Sequence, residues 1–296
     1  MKAKAVFIFV MLIFGSIGLF VKNIELSSSE LALFRGAIGS VFLIVASLFL
    51  KQKVNFNQIS KKNLMLLLFS GTAMGFNWIF LFEAYRYTTI SNATLSYYFA
   101  PIFVMALAPF LLKERWTTLK AISILLAFTG FFLIVQPQAL PSNVGFHHGV
   151  GIGYGLLAAA FYASVILLNK FIRNLSDFET TIMQLTIATI VLLPYVLFTE
   201  EMNYTGISGE TILLILVVGV FHTGIAYLLY FAAIKKLKGQ TIAVFSYIDP
   251  ISAVLMAAIV LHENMGLVQI IGGVLILGST LLSELKLTKD SRLMKS

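Results

Sequence analysis

The stretch VFSYIDPISAV, residues 244–254, sets Asp249 and Pro250 side by side within a long apolar run, 239–261. At 1.5 Å per helical residue that run reaches about 34 Å, enough to cross the hydrocarbon core of a bilayer. A carboxylate near the middle of such a run is costly unless it is paired, hydrated or protonated. The proline beside it removes a backbone donor and clashes with the preceding turn. The solvent around this stretch therefore decides the fold.

Working outward, nine further apolar blocks can be read: 4–22, 31–50, 64–83, 89–112, 117–136, 149–169, 178–198, 211–232 and 265–283. Of the 296 residues 59% are hydrophobic and 11% charged, whereas a soluble domain carries about a quarter charged residues. Strands of a membrane barrel would alternate polar and apolar over about ten residues, which these blocks do not. The chain reads as an all-α integral membrane protein with ten transmembrane helices. The first block follows Lys2 and Lys4 as a secretory signal would, but it lacks a small-x-small cleavage pattern and nine spans follow it, so it is expected to be retained.

Charge gives the orientation. With the N-terminus in the cytoplasm, every one of the 21 Lys and Arg residues except Lys22, Arg35 and Arg86 falls at the inner face, while Glu25, Glu30, Glu200, Glu201, Glu210 and Glu263 fall outside. This obeys the positive-inside rule and predicts both termini in the cytoplasm. The formal net charge of +8 therefore orients helices against an anionic leaflet, and a nucleic-acid partner is not expected. The absence of cysteine excludes disulfides, thiolate metal sites and iron-sulfur clusters.

A shift of 149 residues lays 98–133 on 247–282 without a gap. Tyr98/Tyr247, Pro101/Pro250, Ile102/Ile251, Ala108/Ala257, Leu112/Leu261, Glu114/Glu263, Ile122/Ile271, Leu126/Leu275 and Leu133/Leu282 coincide. Apolar matches are cheap, but Tyr, Pro and Glu are scarce enough to be informative. Each half then holds five helices, and an odd number inserts the second half upside down. LLKER (111–115) is basic and VLHEN (260–264) has lost both cations, as an inverted copy requires. The expected organisation is a repeat at 1–136, an outer linker at 137–148, a second repeat at 149–284 and a cytoplasmic tail at 285–296. Inverted repeats are the usual architecture of alternating-access carriers, with the substrate site between them near mid-membrane.

FGSIGLFVKNIELSSSELALFRG (14–36), YYFAP (97–101) with LLKER, SYIDP (246–250) with VLHEN, and AAAFYASVILLNKFI (158–172) together resemble EamA-type members of the drug/metabolite transporter superfamily. The resemblance covers about 1–135 and 149–283. It implies ten helices in two inverted bundles around a central cavity, lined largely by the third, fourth, eighth and ninth helices. It also implies transport of amino acids or other small metabolites, frequently outward. Family members more often carry an apolar residue before the second proline, where this chain has Asp249 and its own first half has Ala100.

Candidate site residues follow from depth. Asp249 either joins two helices as a neutral, hydrogen-bonded acid or faces water and binds a proton or a substrate amine. Pro101 and Pro250 mark kinks that free carbonyls around residues 97 and 246, with the hydroxyls of Tyr97, Tyr98 and Tyr247 one turn earlier. His222 shares the depth of Asp249 and could exchange a proton with it. Arg35 could snorkel outward, pair with Glu83 or meet a substrate carboxylate, while Glu83 and Arg86, three apart, could satisfy each other. Asn77, Trp78 and Gln184 add polar or aromatic surface.

Other motifs carry less. GVGIGYG (149–155) lacks dinucleotide-binding spacing and reads as helix packing through Gly149/Gly153 and Gly151/Gly155, with Gly71/Gly75 a second such pair. His147 and His148 lack a third ligand, so no metal or other cofactor is implied. No nucleotide-binding loop argues for ATP drive. The expected function is secondary transport of a small metabolite across the inner membrane, an amino acid or similar amphiphile, with protons as a candidate coupling ion and a homodimer left open. The nearest alternative is an organic cation or drug exporter, ahead of a membrane enzyme or scaffold.

Overall fold

A computed structural model of the protein describes residues 2–50, 59–114, 116–135, 147–201, 204 and 206–293. Among them the first repeat forms α1 (Lys2–Val21), α2 (Ser28–Phe49), α3 (Lys61–Tyr87), α4 (Ile90–Tyr97), α5 (Ala100–Leu111) and α6 (Thr118–Val135). The second forms α7 (His148–Asn169), α8 (Asp177–Thr199), α9 (Gly209–Leu216), α10 (Ala226–Ile234), α11 (Gly239–Ser246), α12 (Ile248–Val260) and α13 (Leu267–Leu293). Nine spans among the described residues are long and apolar enough to cross a bilayer, α4 with α5, α9 with α10 and α11 with α12 each making one, and Leu267–Ser283 is a shorter apolar tenth. Most of the expected linker, residues 137–146, lies outside the described residues, as does Arg115.

Local chemistry sets the helix starts. Ser27 and Ser176 form capping boxes with Glu30 and Glu179, and the hydroxyls of Ser60, Thr89 and Ser208 accept from the third backbone amide of α3, α4 and α9. Each satisfies donors that a helix start leaves open. Beyond 284 no Gly or Pro interrupts the chain, and α13 runs on as a helix to Leu293. Large apolar side chains such as Phe49 and Phe198 point outward, 83% and 89% exposed, as lipid-facing positions do.

Since lipid is as apolar as leucine, close approach and polar contacts hold such a bundle together. The first helix of each repeat lodges in the other repeat: α1 packs on α10 and α12, and α7 on α3, α4 and α5. The closing helices α6 and α13 meet at Gly130 and Gly272, where a Cβ on either would fall 2.5 or 2.6 Å from the other's carbonyl oxygen. Gly71 and Gly75 abut Ile187 and Leu192, and Gly151 and Gly155 abut Thr88 and Ser96. Gly149 and Gly153 have nothing within 4 Å of their Cβ positions, so that expected pair is not a packing seam. The helical twist turns it away from α3 and α4.

Candidate functional site in the central cavity

At the expected proline kinks the α-helix is interrupted for one or two residues, bridged by the turn bonds Phe99 N–H to Ser96 O and Tyr247 N–H to Val244 O. The first span stops at Tyr97 and restarts as α5 at Ala100, with Pro101 in its first turn; the second stops at Ser246 and restarts as α12 at Ile248, with Pro250 in its first turn. A proline is harmless there, because first-turn amides have no intrahelical partner. Lacking an N–H, Pro101 and Pro250 leave the carbonyls of Tyr97 and Ser246 without their helical donors. Both residues line a cavity of about 850 Å³ between the repeats.

At the second break Asp249 sits in the first turn of α12, where the helix dipole favours negative charge. The Tyr98 hydroxyl, across from the first break, donates to the Asp249 carboxylate. Gly15 of α1 lies against the same turn, its Cβ position 2.6 Å from the Asp249 carbonyl oxygen and 2.1 Å from Ser252 Oγ. Only a glycine admits that approach. Asp249 is half-buried and lines the cavity together with Tyr97, Tyr98, Tyr247 and Pro101, whereas Pro250 is buried behind them.

Arg35 enters from α2. It is 6% exposed, lines the cavity, donates from Nε to Thr223 Oγ1 at 3.0 Å and stands 4.5 Å from the Trp78 ring centroid. Arg35 does not snorkel, and Glu83 is not its partner: Glu83 accepts from Arg86 at 3.3 Å and lines no part of the cavity. Among the described residues no carboxylate lies within ion-pair distance of the Arg35 guanidinium. Thr223 reaches it from a nine-residue π-helical segment, Val217–Ile225, that joins α9 to α10. The segment packs against α2, where a Cβ added at Gly39 would fall 2.5 Å from the Thr223 methyl. Single π turns are frequent at functional sites.

The same segment carries His222, which is fully buried and lies 3.0 Å from Ser16 Oγ rather than beside Asp249. Helix α1 meets both groups on different sides, Gly15 on the Asp249 turn and Ser16 on His222. Equal depth did not bring the two together. Asn77 donates to the Ala158 carbonyl at 2.7 Å, tying α3 to α7, and Gln184 donates to Ser70 and Asn169 at 2.7 and 2.6 Å. Asn77, Trp78, Gln184 and Asn169 all line the cavity.

Four further tyrosines line it, Tyr85, Tyr162, Tyr227 and Tyr230, and Tyr97 stacks on Tyr162 at 5.5 Å between centroids. Tyr227 and Tyr230, three apart in AYLLYF, shared a helical face that sequence reading passed over. At one end the exposed Lys170, Asp177 and Gly239 line the cavity, so it opens there. At the other it stops at the buried Ile17, Leu81 and Tyr85. Tyr85 also lines a separate cavity of about 600 Å³ with Lys22, Glu30 and Phe82. The two chambers thus share a wall at Tyr85.

A one-ended chamber lined by tyrosines and charged side chains between two inverted repeats is what a carrier needs, and known sequences agree. The profile of the EamA-like transporter family matches residues 1–136 and 149–285. The chain belongs to that family. EamA-like relatives include the uncharacterised transporter YxxF of Bacillus subtilis (strain 168), 32% identical over 269 residues that cover 89% of this chain and 85% of the relative. An uncharacterised transporter of Clostridium kluyveri is 26% identical over 245 residues, 80% of this chain and 79% of its own. A solved crystal structure superposes over 100% of this chain and 99% of its own with a TM-score of 0.63 at 17% identity, a likeness of fold.

Proposed function

We propose that this EamA-like protein is a secondary carrier that moves a small amphiphilic metabolite, an amino acid or a close chemical relative, by alternating access of its two repeats. The direction is efflux or exchange, with Asp249 as the proton-linked group. What carries the reading is the cavity's pair of opposite charges: Arg35, buried without a carboxylate partner, and Asp249, held by Tyr98. A buried guanidinium is costly unless something neutralises it. A substrate carboxylate supplies that charge bidentately, and a substrate amine meets Asp249 among the tyrosine rings. Lys170 lies at the basic face, so with positive charge inside, this arrangement faces the cytoplasm. The plasma membrane and cytoplasmic termini belong to the same proposal, as do the boundaries of the repeats and linker.

The test is counterflow in proteoliposomes preloaded with a pooled set of unlabelled amino acids, reading accumulation of each labelled amino acid in turn. Accumulation that requires Arg35 and Asp249 supports the reading. A parallel set preloaded with amines that lack a carboxylate is read with the labelled amines; accumulation only there, insensitive to Arg35→Met, would transfer the assignment to an organic cation exporter.

A further inference from the structure

Glu263 lies outside the cavity and has no part in the substrate reading above. It sits in the turn after α12 and reaches across to the first repeat, where its carboxylate accepts from the backbone amides of Ile90 and Ser91 at 2.8 and 3.1 Å and from Ser91 Oγ at 2.9 Å. These are the first amides of α4, so the carboxylate neutralises the positive end of that helix. Lys22, which follows α1, pairs with it at 3.4 Å, and the carboxylate is 6% exposed. Glu263 therefore ties α12, α4 and α1 together at the end of the bundle where the cavity is shut by Tyr85.

The 149-residue shift makes Glu114 its counterpart. The turn that presents it has the same backbone: Lys113 and His262, each one residue earlier, are left-handed with φ of 56° and 54°. A left-handed conformation is unusual for such side chains, so its recurrence marks a conserved geometry within the chain. The contacts differ. Glu114 is 45% exposed and, among the described residues, pairs with Lys120 at 2.8 Å. The helix it should reach by symmetry is α11, whose N-cap Lys238 makes no side-chain cap and whose first residue, Gly239, lines the open mouth. Lys170 follows α7 as Lys22 follows α1.

From this broken symmetry we infer that Glu263 and Glu114 are alternate latches. Glu263 on the α4 amides holds the Lys22 end shut in the arrangement seen here. In the opposite arrangement Glu114 leaves Lys120, accepts from the first amides of α11 with Lys170 beside it, and shuts the Lys170 end, while Glu263 lets go. The inference rests on the alternating-access reading above and concerns neither substrate nor coupling ion.

The chain has no cysteine, so single cysteines report each chamber cleanly. Leu81→Cys sits beneath the shut end and Ile242→Cys beside the open mouth. A membrane-impermeant maleimide is applied to each face of sealed vesicles in turn. Glu263→Gln should raise labelling at Leu81→Cys and lower it at Ile242→Cys, each by roughly tenfold, the change that about 1.4 kcal/mol makes in an equilibrium. Adding Glu114→Gln to Glu263→Gln should return both toward the parent. The inference is overturned if neither site responds to Glu263→Gln, if both move together, as a misfolded chain would make them, or if Glu114→Gln pushes the pattern further the same way. Labelling needs no substrate, so a chain that fails the counterflow test can still pass this one, and a working carrier can fail it.

Discussion

The Tyr98 hydroxyl donates to the Asp249 carboxylate, which joins the helix break of one repeat to the helix break of the other. Tyr98 follows α4 and Asp249 opens α12, so this single contact couples the two discontinuous spans in the wall of the cavity. Hydrogen bonds to charged groups are worth about 1.5–3 kcal/mol. Tyr98→Phe and Asp249→Asn should each lower the Tm in detergent, and the double variant should cost no more than the worse single, since partners in one bond are not additive. Additive losses would mean the two groups act separately.

Arg35 is fixed by Thr223 and Trp78 rather than by an acid. Lysine keeps the charge but loses the planar fork and the Nε donor. Arg35→Lys is expected to cut counterflow at least tenfold, a loss of about 1.4 kcal/mol or more. Thr223→Val should lower stability by about 1–3 kcal/mol, the usual cost of a buried donor left unpaired. Retained transport in Arg35→Lys would show that a point charge suffices.

Two glycines should respond oppositely to alanine. A Cβ at Gly15 would meet Ser252 Oγ at 2.1 Å and the Asp249 carbonyl at 2.6 Å, so overpacking should cost about 1–3 kcal/mol. Gly153, inside α7 with nothing within 4 Å, should gain about 0.5–1 kcal/mol from reduced backbone freedom. Thermal unfolding of Gly15→Ala and Gly153→Ala checks both signs at once.

His222 bonds to Ser16 and lines neither chamber. Replacing it with glutamine should leave the pH dependence of transport in place, whereas Asp249→Asn should flatten it. A shifted pH profile in His222→Gln would route the proton through α1.

The ten spans and their inverted pairing were legible because hydrophobic length, charge asymmetry and a handful of Tyr, Pro and Glu matches each report on the bilayer. The cavity was less so. Depth along a helix is readable from residue number, but azimuth is not, and azimuth sends His222 toward α1 and Asp249 toward Tyr98. The proline pairs pointed to the right level, although each span stops and restarts instead of bending. Nothing in VVGVFHTGI (217–225) distinguishes a π turn from an α turn, because the two differ in backbone bonding rather than in residue type. Tyr85 was hidden among 26 Phe and 11 Tyr, and only its position between two chambers singles it out.

For the proposed alternation, the interruptions near Phe99 and Tyr247 also bear on where the energy barrier lies. Since the peptide ladder is thinned at both levels to a few turn-type bonds, such as Phe99 N–H to Ser96 O and Tyr247 N–H to Val244 O, the half-helices can tilt at the cost of few main-chain hydrogen bonds. If the two repeats alternate as proposed, cycling speed is set by side-chain clasps at the rims of the bundle, and single substitutions there should quicken or slow the protein while leaving the ligand's berth intact.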